Sequence, residues 1–406
     1  MSLAAPFQRL AWSNLVAQSA EQVSIAAAPM VAVLALGAGA GETGFLTAAQ
    51  TLPFLLLSFP AGVLVDRLPR RGLMVMAELL RAAALLALPV LAALGWLSVP
   101  LLALVGFVAA TGTVVYSVAA PALVPALVPR ASLAAANGRL ELARSVAYAA
   151  GPALAGALVG WAGASPAFTL AAVLSGVAVV LLVGVPEPSR PARPSRHLGR
   201  ELQEGAGFAW THRFLRPILL TAVVWNLSWF ILQAAYVPYA VHVLGMTASA
   251  IGTTLAAYGV GMLVGALLAA RLMQSFSIGI TIAMGPLVSV AAAAVMVALL
   301  WVPSPLLVGA SFFLFGAGPL LWTISQTTLR QTITPDALLG RVSALFMTAS
   351  AGARPIGAAI GGAVGAASGP EAAILLAALG FVVQALVITR SPVPRLARLP
   401  ERAASA

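Results

Sequence analysis

The chain has 406 residues, of which 61 % are hydrophobic and only 8 % charged, with a mean hydropathy of +1.00. A soluble domain has about a quarter of its residues charged, so this composition cannot supply a polar coat and places the chain in a bilayer. All 22 basic residues are arginine, and neither Lys nor Cys occurs. This excludes a P-loop lysine, a Schiff-base lysine, a thiolate nucleophile, a cysteine metal site and a disulfide. The net charge of +11 would point to nucleic acid only if it clustered on a soluble face.

At about 20 residues per crossing, roughly a dozen spans fit the length. Apolar runs predict six spans near Ala11–Leu36, Phe45–Val65, Leu73–Leu94, Val99–Ala119, Leu140–Trp161 and Ala167–Val185, with Pro121, Pro125 and Pro129 breaking the fourth near its exit. The segment Pro186–Pro217 follows, rich in Pro and Arg; its piece Leu198–Phe208 is expected to form a short amphipathic surface helix. Six more spans are predicted near Ile218–Leu244, Ala248–Leu272, Ile278–Trp301, Pro305–Ser325, Val342–Val364 and Ala372–Thr389. The organisation is therefore an all-α integral membrane protein with halves at 1–185 and 218–390, a basic linker at 186–217 and a tail at 391–406.

Arginine sets the orientation. If the spans alternate, the connections with Arg67, Arg70 and Arg71, with Arg130, with Arg271 and with Arg330 share one side with the linker (Arg190, Arg193, Arg196, Arg200, Arg213, Arg216) and with terminal residues Arg9, Arg390, Arg395, Arg398 and Arg402. The opposite connections, such as Gly37–Gly44 and Pro303–Pro305, contain no Arg. Both termini and the linker are expected in the cytoplasm. Ala38-Gly39-Ala40 mimics a signal-peptide cleavage site, but the first apolar stretch is about twice the length of a signal h-region and carries Glu21.

The halves echo each other. Gly138-Arg139 precedes a span with Gly151, Pro152 and Gly156, and Gly340-Arg341 precedes one with Arg354-Pro355, Gly357 and Gly361. Duplicated halves that rock about a central site give alternating access. Gly259, Gly261 and Gly265 mimic a nucleotide fingerprint, but they lie inside an apolar span with no strand before it, where close helix packing accounts for them.

After the second span, Gly62, Asp66, Arg67, Arg70 and Arg71 form a loop pattern that resembles the motif between helices two and three of the major facilitator superfamily; Pro69 and Gly72 depart from it. An Asp at a helix end can pair with Arg or face a helix N-terminus of the other half, which makes these residues a candidate cytoplasmic gate with Arg341 as neighbour. Gly151-Pro152-Ala153-Leu154-Ala155-Gly156 resembles the fifth-helix motif of the superfamily's antiporters and exporters, with Ala147 and Ala155 in place of glycines. The run Gln18–Pro29, the Glu78–Arg81 pair, and Leu127–Arg130 before Asn137–Arg139 are most similar to its macrolide-efflux and enterobactin exporters, over essentially the whole chain. The resemblance implies a twelve-helix fold and favours export. The fourth span lacks the Arg that many drug antiporters use for proton coupling.

Buried charge carries function in membranes, because an ionisable group at mid-bilayer costs at least a few kcal/mol. Glu21 lies about ten residues into its span, or about 15 Å, near the midplane. It is the candidate proton carrier, and the resemblance places an acid of efflux pumps in this helix. Arg354 is similarly deep; it keeps its charge and needs a carboxylate, a carbonyl or an anionic substrate. Glu78 with Arg81 and Glu141 with Arg144 are spaced i, i+3 and read as ion pairs. In the seventh span Trp225, Trp229, Gln233 and Tyr236 form a stripe with Asn226 alongside, suited to a bulky apolar ligand; Gln50 and Gln326 are further cavity candidates.

The expected function is that of a proton-coupled secondary transporter in a bacterial cytoplasmic membrane. It would export hydrophobic or amphipathic small molecules such as drugs or siderophores, as a monomer, with no cofactor, metal, nucleotide or nucleic acid. Uptake, or transport of lipid, sugar or organic anion, keeps the same fold. A membrane enzyme or sensor is the reading from another class, and the chain shows no nucleophile, metal cluster or large signalling segment for either.

Overall fold

The computed structural model describes residues 5–129, 132–187 and 198–399. Arg130, Pro188, Arg190, Pro191, Arg193, Pro194, Arg196 and Arg402 fall outside the described residues, as do the side chains of Asp66 and Arg200. The N-terminal half comprises α1 (Ala5–Leu36), α2 (Ala40–Arg67), α3 (Arg70–Ala93), α4 (Val99–Leu127), α5 (Leu133–Ala162) and α6 (Ala164–Val183). A shorter helix, α7 (Leu198–Thr211), precedes the C-terminal half of α8 (Leu215–His242), α9 (Ala248–Ser275), α10 (Ile278–Ala298), α11 (Pro305–Ile333), α12 (Asp336–Ser368) and α13 (Pro370–Thr389).

Twelve long helices thus stand as the apolar runs predict, six on each side of α7. Eleven are long and apolar enough to cross a membrane by length and composition. The twelfth, α12, is diluted by Gly and Ala and carries Arg341 and Arg354. The helices outrun the predicted spans at the arginine-bearing end. In particular α4 continues through Pro121 and Pro125 to Leu127 rather than breaking there. A proline removes one donor from the ladder, so Pro121 and Pro125 leave the Ser117 and Pro121 carbonyls without their usual i+4 N–H; nearby, the Arg70 guanidinium on α3 donates to the Ala122 carbonyl.

The two ends of the bundle turn by different chemistry. At the end opposite the termini, five connections pass through a glycine of positive φ, at Gly37, Gly95, Gly163, Gly245 and Gly369, a conformation that costs other residues about 1–2 kcal/mol. The sixth uses Pro303 and Pro305. At the arginine-bearing end the turns use Pro69, the Ser277 cap of α10 and Pro335 instead. Tryptophans mark the interfaces: Trp96, Trp161 and Trp301 are exposed near the far end, Trp12 and Trp210 near the other.

Between the halves, α2 runs beside α12 and α5 beside α9. The contacts are backbone to backbone. A Cβ on Gly44 would collide with Gly362, one on Gly156 with Gly252, and one on Gly259 with the Tyr148–Ala149 backbone. Gly261 and Gly265 sit equally tightly against Phe313 and Ala317 of α11, so the apparent nucleotide fingerprint is helix packing. Two hydrogen bonds cross between the halves at the far end: Thr43 Oγ1 donates to the Ala234 carbonyl at 2.9 Å and Ser249 Oγ to the Gly156 carbonyl at 3.4 Å. Near the arginine-bearing end, a Cβ on Gly62 of α2 or Gly340 of α12 would meet nothing within 4 Å.

Candidate functional site

The helix interiors bring four groups of polar side chains together, and each has its own logic. The first is a fully buried ion pair in the N-terminal half. Arg81 Nη2 lies 2.5 Å from Glu78 Oε2, with side chains 2 % and 0 % exposed. The i, i+3 spacing on α3 places them on one face. The Arg81 guanidinium also donates to Ser175 Oγ at 3.0 Å, Thr113 Oγ1 at 3.2 Å and the Ala17 carbonyl at 2.8 Å, tying α3 to α6, α4 and α1. Buried charge is tolerable only when paired and hydrogen-bonded in this way.

The second group surrounds Glu21. A narrow cleft opens between α1, α2, α3 and α4. Its polar lining includes Glu21, Gln50, Arg81 and Thr113, and its apolar lining includes Phe54, Leu85, Leu88, Leu102, Val105 and Phe168. Gln50 lies against Gly106, where a Cβ would crowd its amide. The Glu21 carboxylate makes no hydrogen bond or ion pair among the described residues, although it interacts electrostatically with Arg81, Arg144 and Arg354.

The third group is on the C-terminal half. Arg354 Nε donates to Asn226 Oδ1 at 3.3 Å, and Asn226 Nδ2 is anchored to the Ala222 carbonyl at 3.0 Å. The guanidinium lies over Phe54 of α2, 5.4 Å from the ring centroid, and Phe230 of α8, at 5.8 Å. Arg144 pairs with Glu141 at 2.5 Å and lies 6.0 Å from the Tyr148 centroid, and Tyr148 meets Tyr258 of α9 across the halves at 5.9 Å.

The α8 stripe divides. Trp225 and Trp229 stack at 5.5 Å. Trp229 is 7 % exposed and packs on Tyr258, Phe312 and Phe315. Trp225 Nε1 donates to Ser289 Oγ at 3.2 Å beside a small space lined by Thr221, Pro286, Trp322 and Gln384. Tyr236 is fully buried, with its hydroxyl on Thr254 Oγ1; Gln233 is half-buried. Gln326 is buried on α11 and donates to Thr327 Oγ1 at 2.9 Å. The sequence reading missed Phe54, Phe230, Tyr148 and Tyr258. The spacing held a signal for two of them, since Phe54 follows Gln50, and Tyr148 follows Arg144, by one helical turn.

The fourth group is the arginine-bearing loop. Glu187, just past α6, accepts from the backbone N–H groups of Arg70, at 2.5 Å, and Arg71, at 2.9 Å, and so caps α3. Arg71 donates to the Val185 carbonyl at 3.2 Å, and Arg67 is exposed at the end of α2. Arg341 pairs with Glu204 of α7 at 2.5 Å, and α7 approaches so closely that a Cβ on Gly205 would crowd the Arg341 backbone. Past α7, His212 Nδ1 accepts from the N–H groups of Phe214 at 3.2 Å and Leu215 at 3.4 Å, at the start of α8. Partial burial, with help from the Arg213 charge, holds the His212 pKa below its ordinary value. On α5, Gly151 packs against Gln22 of α1, with buried Pro152 beside it, and Gly156 meets α9.

The family model of the Major Facilitator Superfamily matches residues 10–358. The multidrug efflux pump Tap of Mycobacterium bovis (strain BCG / Pasteur 1173P2) is 28 % identical over 396 residues, covering 95 % of this chain and 93 % of that protein. Macrolide efflux protein A of Enterococcus faecalis is 28 % identical over 317 residues, covering 75 % of this chain and 95 % of that one. Among solved structures, an inward-facing, unoccupied bacterial homolog of the human lysosomal transporter Spinster superposes with a TM-score of 0.73 at 14 % identity, covering 100 % of both chains.

Proposed function

Since the chain belongs to the Major Facilitator Superfamily, a family of multi-pass membrane transporters of small molecules, we propose that it is a proton-coupled exporter of hydrophobic or amphipathic compounds in a bacterial cytoplasmic membrane. Both termini and the linker lie in the cytoplasm, where the positive-inside rule puts arginine. The halves rock about the space between Glu21 and Arg354, acting as a monomer and needing no cofactor, nucleotide or nucleic acid. With that orientation the tight α2–α12 and α5–α9 contacts close the outer end.

The observation that carries the reading is Glu21: a carboxylate with no hydrogen bond or ion pair among the described residues, lining an apolar cleft in the bundle. An ionised carboxylate there gains by taking up either a proton or a cationic substrate group, and one acid that serves both in turn makes an antiporter. Gln50 and Asn226 supply hydrogen bonds, and Trp225, Trp229, Gln233, Tyr236 and Gln326 shape the α8 and α11 side of the route. Gly62, Asp66, Arg67, Arg70, Arg71 and Arg341 act at the cytoplasmic gate, while Gly151, Pro152 and Gly156 let α5 pack closely while the halves move. Export is favoured over uptake by the efflux relatives. The test is transport itself: inside-out proteoliposomes given an imposed proton gradient accumulate members of a panel of lipophilic cations, macrolides and siderophores. Accumulation no greater than in protein-free liposomes, for every member of the panel, overturns the reading.

A further inference from the structure

Among the described residues, the helices carry two charge pairs that are closed and two charges that are not. Glu78 with Arg81 and Glu141 with Arg144 are paired at 2.5 Å, so neither needs a ligand for its charge. The other two, Glu21 and Arg354, have opposite signs, interact electrostatically, and do not form an ion pair with each other. Both border one side chain, Phe54, which lines the Glu21 cleft and carries the Arg354 guanidinium over its ring.

Arg354 is also aimed. Its Nε is held by Asn226 Oδ1, and among the described residues its two terminal nitrogens make no hydrogen bond. The planar fork is thereby fixed at one corner, with the donors that match a carboxylate or phosphate left open. A cation between two phenyl faces, with no carboxylate in ion-pair contact among the described residues, is a half-built anion site. The Glu21 carboxylate is the complementary half-built cation site, and the apolar wall of Leu85, Leu88, Leu102 and Val105 lies behind it.

Resting on the transporter reading above, we propose that the substrate is a dipolar amphipath: a cationic amine seats on Glu21, an anionic carboxylate or phosphate seats on the Arg354 fork, and an apolar body packs along the apolar wall of the cleft between α1, α2, α3 and α4. Two opposite charges held near each other but unpaired select against a ligand that answers only one of them, because the other stays buried without a partner. Asn226 is a positioning residue: it sets the angle of the fork and touches no substrate.

The test uses three fluorescent probes of one shape, whose emission rises in apolar surroundings. These are Nα-dansyl-lysine, which carries both charges; its methyl ester, which is only cationic; and its Nε-acetyl derivative, which is only anionic. Binding is titrated to the full-length protein in detergent, so that leakage through a membrane plays no part. Wild type binds the doubly charged probe at least about tenfold more tightly than either derivative, the ratio that 1.4 kcal/mol gives. Arg354→Gln abolishes the preference over the methyl ester, and Glu21→Gln abolishes the preference over the acetyl derivative. Equal affinity for all three probes in wild type overturns the proposal, as does a uniform loss in Arg354→Gln. The wild-type comparison stands even if a variant does not fold. If the proteoliposomes transport lipophilic cations while the doubly charged probe does not bind, the dipolar substrate falls and the exporter stands; if nothing is transported, the exporter reading falls first.

Discussion

Gly44 on α2 and Gly362 on α12 lie backbone to backbone, and neither has room for a Cβ. That contact joins the two halves at the end away from the termini, where Thr43 also reaches across to the Ala234 carbonyl. Substituting Gly44→Leu wedges the two helices apart and penalises the closed outer end relative to the open one. The chain contains no cysteine, so a single Thr47→Cys reporter on α2 is read without background. In the Gly44→Leu protein, labelling of this cysteine by a membrane-impermeant maleimide from outside rises about fivefold or more, the change that roughly 1 kcal/mol produces.

The Glu78–Arg81 pair makes a different prediction, one about stability. Removing only the cation by Arg81→Leu leaves a buried carboxylate without its partner, which costs about 3–5 kcal/mol. Replacing both in Glu78→Met/Arg81→Leu removes the stranded charge, so the double variant melts at a higher temperature than the single one. Thermal unfolding in detergent orders the three proteins as wild type and double variant above Arg81→Leu. A double variant no more stable than Arg81→Leu contradicts the prediction, because both lack the bonds of Arg81 to Ser175, Thr113 and Ala17 and differ only at Glu78.

His212 supplies a pH dependence outside the membrane. Its pKa in the folded chain lies below the ordinary 6.5 because burial, and secondarily Arg213, disfavour its charged form. The neutral ring accepts two backbone bonds at the head of α8, which protonation of Nδ1 breaks. The stability from this group is therefore complete above pH 6.5 and is lost as pH falls from there toward the lower folded value. Exchange of the Phe214 and Leu215 amides, followed by mass spectrometry and divided by the intrinsic chemical rate at each pH, accelerates over that interval. In His212→Asn, whose side chain also accepts but does not titrate, it stays flat with pH.

Much of the architecture is legible in the sequence because a bilayer imposes simple rules. Long apolar runs have to be helices, arginine has to avoid the outer loops, and a buried Glu beside an Arg three residues on has to pair. Helix ends were less legible: α4 runs past its prolines, and Arg70 reaches its Ala122 carbonyl from another helix, a tertiary contact with no local signature. The site shows the same division. Glu21 and Arg354 stand out by depth alone, whereas Phe54, the side chain next to both, is one phenylalanine among 15 and becomes visible only when α2 is placed beside α12. The aromatic stripe of α8 has the periodicity of a cavity wall, yet Trp229 and Tyr236 turn mainly toward α9 and α11. Periodicity fixes which side chains share a face and leaves open which neighbour that face meets.

The central claim is that Glu21 exchanges protons against substrate. The most direct measurement is proton flux in proteoliposomes that contain a trapped pH-sensitive dye, with an added transported compound, for wild type and Glu21→Gln. Wild type moves protons only when substrate is present, and Glu21→Gln abolishes that substrate-dependent flux while the variant still folds. Substrate-driven proton movement that persists unchanged in Glu21→Gln contradicts the account and leaves Glu21 a structural carboxyl.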